Sequence, residues 1–223
     1  MIEEILDNLF VIYSPNEGSN CYLLVGKKNI LIDSSTTQNA SYLKNSLKDI
    51  GLDAGDINIV LHTHGHADHI GGGYLFPKAE KLMHGFDAGK INLKDNLFSC
   101  ASFFPGTKFP KITKKLKEGD VIKNEPFSLK VICTPGHTKG SISFYEENNK
   151  ILFSGDCLFK GSIGRYDLPS SSKQDVLESL KKLLKIDYRI LLPGHGLVLK
   201  ENQDENIERA LYFLEKSVEL EQI

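Results

Sequence analysis

The sequence is short of nearly everything that marks a specialised environment. Its four cysteines, Cys21, Cys100, Cys133 and Cys157, form no CxxC pair and no dense framework, so a disulfide scaffold is not indicated. Three of them lie in apolar strand-like or motif contexts and read as small buried hydrophobes, which suits a reducing compartment. No apolar run approaches the roughly 18 residues that a membrane span needs. The opening Met1-Ile-Glu-Glu carries acids where a signal peptide carries bases. A cytoplasmic address is therefore expected, and the match of Asn39-Ala40-Ser41 to a glycosylation acceptor is read as chance.

Charge of one sign is missing too. The formal net charge is −2, so there is no global positive field to gather phosphate backbones, and nucleic acid is not an expected partner. The richest basic stretch, Lys108, Lys111, Lys114, Lys115 and Lys117, reads as a solvated face, with an anion-attracting lip as the alternative. Gly71, Gly72 and Gly73 allow close backbone approach, but GxxxxGK[ST] is absent and no phosphate loop follows. No low-complexity segment or Pro/Gly-rich linker divides the chain, so residues 1–223 are expected to form a single domain.

What is present is the balance of an ordinary globular protein, 223 residues with 40% hydrophobic and 25% charged. Short β runs at Leu9 to Tyr13, Cys21 to Val25 and Ile30 to Asp33 open an antiparallel meander, with 26–29 as a hairpin turn. Ala40, Leu43, Leu47 and Ile50 recur at helical spacing before Gly51, and Ile57 to Leu61 follows as an apolar strand. Lys81 to His84 is a weaker strand, and 85–117 reads as a loop-rich insertion near a site. Strands return at Phe127 to Thr134, Ser141 to Tyr145, Ile151 to Ser154 and Arg189 to Leu192. Amphipathic helices are expected around Val176 to Leu184 and, at the end, through Ile207, Ala210, Leu211, Leu214 and Val218. Each helix has one apolar face to bury, which points to two mixed β-sheets packed face to face with helices outside, an αββα sandwich of the α/β (α+β) class.

The chemistry lies in His62-Thr-His64-Gly-His66-Ala-Asp68-His69, directly after the strand Ile57 to Leu61. Imidazole and carboxylate are the ligands that Zn²⁺ and related first-row metals prefer in hydrolytic sites. In an extended segment, residues two apart point the same way, which places His64 beside His66 on one ion. Asp68 and His69, past the turn, can face a second. Remote ligands must complete the two sets. His137 in Thr134-Pro-Gly-His137 and His195 in Leu192-Pro-Gly-His195 each follow an apolar strand through a Pro-Gly turn. Asp156, ending Phe153-Ser-Gly-Asp156, offers two oxygens able to span two cations.

These pieces, with Asp33 closing an early strand, closely resemble the metallo-β-lactamase superfamily, whose pattern is an Asp, then THxHxDH, a distant His, an Asp and a last His. The resemblance runs from Asp33 to His195. It implies that His64, His66 and His137 hold one ion, that Asp68, His69 and His195 hold the other, and that Asp156 bridges them. The stretches around Thr134 to Ser141 and Gly155 to Asp167 resemble the glyoxalase II branch, whose members hydrolyse thioesters of glutathione. Only about 28 residues follow His195, whereas glyoxalase II adds a C-terminal helical domain carrying its glutathione-binding residues. The resemblance is thus to the shorter hydrolases of that branch.

It implies hydrolysis of a small acyl-thiol or ester by a hydroxide bridging two divalent ions, most suitably zinc, with iron or manganese as alternatives. Asp68 would orient that hydroxide while ligating, and Asp33 would fix a histidine tautomer from behind the ligands. Arg165 and Tyr166 are expected to bind substrate, with the alternative that Arg165 only pairs with Asp167. His62 reads as a spectator, His84 as structural or superficial, and Cys157 as pointing away from the metals. A monomer or small homo-oligomer is expected. The competing function is a persulfide dioxygenase-like oxidoreductase, holding one iron at the positions of His64, His137 and Asp156.

Overall fold

The computed structural model describes residues 1–201 and 203–220. Seven strands form one sheet in chain order: β1 (Ile2–Leu6), β2 (Leu9–Ile12), β3 (Cys21–Leu24), β4 (Asn29–Ile32), β5 (Ile57–Leu61), β6 (Glu80–His84) and β7 (Lys114–Leu116). The first four pair antiparallel, and β4 to β7 run parallel. A second sheet has the order β12 (Ile190–Pro193), β11 (Ile151–Gly155), β10 (Ile142–Glu146), β9 (Ser128–Cys133) and β8 (Val121–Lys123), with only β11 and β12 parallel.

Strand alternation explains the layering, because successive side chains leave opposite faces. Leu9 and Val11 enter the space between the sheets with Tyr22, Ile30, Ile32 and Leu61, where they meet Leu129, Val131, Phe144 and Phe153 of the second sheet. Ile12, Leu23, Leu31 and Val60 face the other way, onto Leu43 and Leu47 of α1 (Ala40–Asp49). The outer face of the second sheet packs Ile132, Leu152 and Leu191 against α4 (Lys173–Leu183) and α5 (Gln203–Leu220). The sandwich expected from the helix faces is the fold observed. Ile207, Ala210, Leu211 and Leu214 form the buried stripe of α5, and the Val218 side chain lies outside the described residues.

The structure departs from the sequence reading in the middle of the chain. Residues 85–117 hold a helix, α3 (Gly85–Asn92), and the strand β7, where a loop-rich insertion was expected. Two glycines within α3 dilute its period, and only Asp87, Ala88 and Ile91 of its eight residues are buried, so no apolar stripe is readable. The basic cluster from Lys108 to Lys117 is exposed throughout. The N-terminal strand β1 is an edge strand with one buried side chain, Ile5, which leaves little alternation to recognise. No helix among the described residues is long and apolar enough to cross a membrane.

Candidate metal centre

Five strand ends deliver polar side chains to one edge of the sandwich. β5 leads into His62 to His66, and the short helix α2 (Ala67–Ile70) then carries Asp68 and His69. β9 runs into the turn bearing His137, β11 into Asp156, β12 into His195, and β4 into Asp33 just before α1. Donor atoms of His64, His66 and His137 lie within 4.8 Å of one another, as do those of Asp68, His69 and His195. Asp156 reaches both groups, its Oδ1 at 3.2 Å from His69 Nε2 and its Oδ2 at 3.4 Å from His137 Nε2 and 3.6 Å from His195 Nε2. Gly194 makes this approach possible, since a Cβ there would stand 2.1 Å from Asp156 Oδ1.

Charge is divided unevenly across the centre. Burial, reinforced by neighbouring imidazoles, pushes His64 well below the usual histidine range and His66 down to about 3. Burial also lowers His137, against the pull of Asp156. Burial works against protonation of His69 as well, but Asp156, Asp33 and Asp68 outweigh it and hold that imidazolium well above the usual range. His195 is raised likewise, burial being overcome by Asp156 and Asp68. The two acids answer in kind: burial opposes their ionisation, yet His69 and His195 hold Asp68 below and Asp156 well below the ordinary carboxylate range.

The Nε2 atoms of His64 and His66 are buried without a hydrogen-bond partner. Buried polar atoms are ordinarily satisfied, so the orphaned His64 Nε2, together with a His66 Nδ1 that faces only the His137 Nε2 at 2.8 Å, fits a site for divalent cations.

Supporting residues stand behind the donors. Asp33 adopts a left-handed backbone, φ 58°, a conformation Asp tolerates better than most residues. Its carboxylate accepts from Thr63 N at 2.9 Å and Thr63 Oγ1 at 2.8 Å, and its Oδ2 lies 2.8 Å from His69 Nδ1. His137 Nδ1 donates to the Arg165 carbonyl at 2.7 Å. Sequence reasoning missed three of these supports. Asn20 Nδ2 donates to the carbonyls of Pro193 and Gly196, and Tyr22 donates to Pro193, which fixes the His195 turn. The third is Asp87, a fully buried acid on α3. Nothing in the local sequence distinguishes it from a solvated helix acid.

A cavity of about 250 Å³ opens on His66, Asp68, His137, Asp156 and His195, walled by Phe103, Phe104, Phe159, Ile163 and Leu168. Arg165 lines it while paired bidentately with Asp167, both contacts at 2.8 Å. Tyr166 does not line the cavity. Contrary to expectation, its ring packs with the core beneath α4, and Lys173 Nζ lies 5.6 Å from the ring centroid. The reason is local: Arg165 turns outward to Asp167, and the next side chain turns inward. Cys157 is buried in that same core, away from the donors, its thiol pushed by burial up to about 12. Cys100, by contrast, borders the cavity. His62 is fully buried beside Asp33, and His84 caps α3 by accepting from Phe86 N.

Residues 15–195 match the sequence model of the metallo-β-lactamase superfamily. The chain belongs to that superfamily. Metallo-β-lactamase superfamily proteins hold divalent metals in His/Asp clusters, and the donor groups described above are of this kind. The chain is 34% identical over 187 residues to probable metallo-hydrolase MJ0888 of Methanocaldococcus jannaschii, covering 80% of this chain and 87% of that protein. It is 33% identical over 151 residues to hydroxyacylglutathione hydrolase GloC of Haemophilus influenzae, covering 63% and 69%. Among solved structures of the superfamily, TTHA1623 in a di-iron-bound form aligns with a TM-score of 0.71 at 28% identity, over 85% of this chain and 94% of that one.

Proposed function

We propose that this chain, as a single domain of residues 1–223, is a dinuclear metal-dependent hydrolase of small thioesters or esters. Zinc is the best-suited metal, with iron or manganese able to replace it. The observation that carries the reading is the pair of complete donor triads, His64/His66/His137 and Asp68/His69/His195, with Asp156 within reach of both. The cytoplasm is the proposed compartment, as a monomer or small homo-oligomer, with no nucleic-acid partner.

Divalent cations bound there would lower the pKa of water towards neutrality and polarise the acyl carbonyl. The side chains do the rest. Asp68 remains ionised between His69 and His195, so a carboxylate oxygen is free to accept a hydrogen bond from the attacking water and aim its lone pair. Asp33 holds the His69 ring through Nδ1, leaving Nε2 directed at Asp68 and Asp156. Phe103, Phe104, Phe159, Ile163 and Leu168 exclude bulk water from the acyl chain. Arg165 stands at the same cavity as a partner for an anionic substrate group.

A thioester is favoured by the likeness to GloC, a hydroxyacylglutathione hydrolase by name. Glutathione itself is left to experiment as the thiol. A one-iron persulfide dioxygenase would use only His64, His137 and Asp156, whereas here Asp68, His69 and His195 form an equally tight group, which favours two ions. The test measures thiol release from a hydroxyacyl-glutathione thioester, a simple acyl thioester and an aryl ester, before and after chelation and zinc restoration. Turnover lost on chelation and regained with zinc is the expected result. Turnover indifferent to complete metal removal, or oxygen consumption on a persulfide without any hydrolysis, would overturn the reading.

A further inference from the structure

Asp87 is a buried acid that the mechanism above leaves unused. It sits in the first turn of α3 with no exposed surface. Its Oδ2 accepts from the Gly65 backbone N–H at 2.9 Å and from Thr138 Oγ1 at 2.8 Å. Gly65 is the residue between His64 and His66, and Thr138 directly follows His137. One carboxylate oxygen therefore ties together the two chain segments that carry the whole His64/His66/His137 triad. Those segments leave different sheets, β5 in one and β9 in the other, so the sheet ladders alone do not lock them to each other at this edge.

The fit around the acid is close. A Cβ on Gly140 would stand 2.2 Å from Asp87 Oδ1, so the turn after His137 is shaped against this carboxylate. Ser141 Oγ, 2.9 Å from Thr138 Oγ1 and accepting from Thr138 N at 3.0 Å, holds the hydroxyl in place. Burial pushes the acid up to about 6, against the pull of Thr138 and of the Gly65 and Gly140 backbones. A buried carboxylate opposes folding unless it is well paired, and packing alone would be served by an apolar residue. Asp33 braces the centre differently: it bonds His69 directly and reaches His64 through Thr63, whose Oγ1 lies 3.1 Å from His64 Nδ1, so it touches both triads.

We propose that Asp87 is a positioning residue dedicated to one of two metal sites, setting the spacing of His64, His66 and His137 through Gly65 and Thr138. The inference rests on the two-ion reading above, but its readout is metal binding rather than turnover. Partners behind metal ligands, when removed, reduce metal affinity by about 10- to 100-fold. Asp87→Asn and Asp87→Ala should therefore weaken one of the two binding events by about that factor and leave the other unchanged. Asp33→Asn, which disturbs His69 directly and His64 through Thr63, should instead weaken both.

The experiment titrates metal-free full-length chain with Zn²⁺ by calorimetry and with Co²⁺ by visible absorption, which reports the ligand geometry of each site. If the Asp87 variants fail to fold, Thr138→Val and Thr138→Ser test the same link from its other end. Thr138→Val removes one bond to the carboxylate and should reproduce the one-site weakening; Thr138→Ser keeps the hydroxyl and should restore affinity. Two events weakened equally, or neither, in Asp87→Asn and Thr138→Val would overturn the assignment. A parent chain that binds no cation would instead sink the two-ion reading itself.

Discussion

His66 Nδ1 and His137 Nε2 lie 2.8 Å apart although 71 residues separate them. His137 donates its Nδ1 proton to the Arg165 carbonyl, so in the neutral ring the Nε2 facing His66 presents a lone pair. His137→Ala should hold about one ion per chain instead of two and lose at least about 100-fold in turnover, read by elemental analysis beside thiol release. Two ions and undiminished turnover in this variant would remove His137 from the site.

Acid should loosen the two ions unequally. His69 and His195 are raised by their carboxylates, whereas His64, His66 and His137 are lowered. As pH falls, the first two take up protons, which a cation must displace, sooner than the other three do. Metal uptake by metal-free protein should thus release protons, and the event at Asp68/His69/His195 should weaken more steeply as pH falls from 7 to 5. Calorimetry in two buffers of different ionisation enthalpy counts those protons; a count of zero contradicts the prediction.

His62 sets a separate acid sensitivity in the metal-free chain. It is fully buried, neither ring nitrogen has a hydrogen-bond partner, and burial lowers it to about 4 from 6.5. A folded-state value below the unfolded one means that the unfolded chain binds more protons between those pH values, so stability falls as pH drops from 6.5 towards 4. The loss from this residue is on the order of 3 kcal/mol over that interval. His62→Leu should lack it, with turnover near that of the parent. Urea unfolding of both proteins at pH 7 and pH 4.5 measures the difference, and equal losses would show that His62 is not the group responsible.

Phe103 is 64% exposed, yet it borders both the cavity at the donors and a neighbouring one of about 490 Å³ lined by Glu17 and Gln38. A side chain so exposed adds little to folding, so Phe103→Ala should keep its melting temperature. It should raise KM several-fold for acyl chains long enough to reach that wall, with kcat little altered. Unchanged KM across an acyl-length series would place the substrate elsewhere.

Arg165 is exposed and bonded to Asp167, so Arg165→Ala should not affect melting. It should raise KM for thioesters bearing a carboxylate more than for neutral ones. Steady-state kinetics on one matched pair decides this, and equal effects on both would leave the arginine without a substrate role.

Much of this was legible before any coordinates. Strands and helices with a clear period, such as Ile57–Leu61 and the stripe of α4, announce themselves because burial on one face is written into nearest neighbours. The donors are legible for a related reason: a His or Asp placed directly after an apolar strand has few structural uses, and Pro-Gly turns mark where the strand stops. Helix α3 was not legible, because its buried face is three residues wide and interrupted by glycine. Tyr166 was misplaced because it follows Arg165 in a loop, where no fixed period says which of two adjacent side chains turns inward.

By itself the sequence determined which groups are available for binding metal and that they sit at strand ends, since both follow from short local patterns. The division into triads with Asp156 between them was already implied by resemblance; only the tertiary structure decided that the donors meet at these distances, and that Asp87 ties the two segments carrying His64, His66 and His137. The physical reason is separation: Gly65, Asp87 and Thr138 meet through hydrogen bonds spanning 22 and 51 residues, and no periodicity encodes a contact between two sheets.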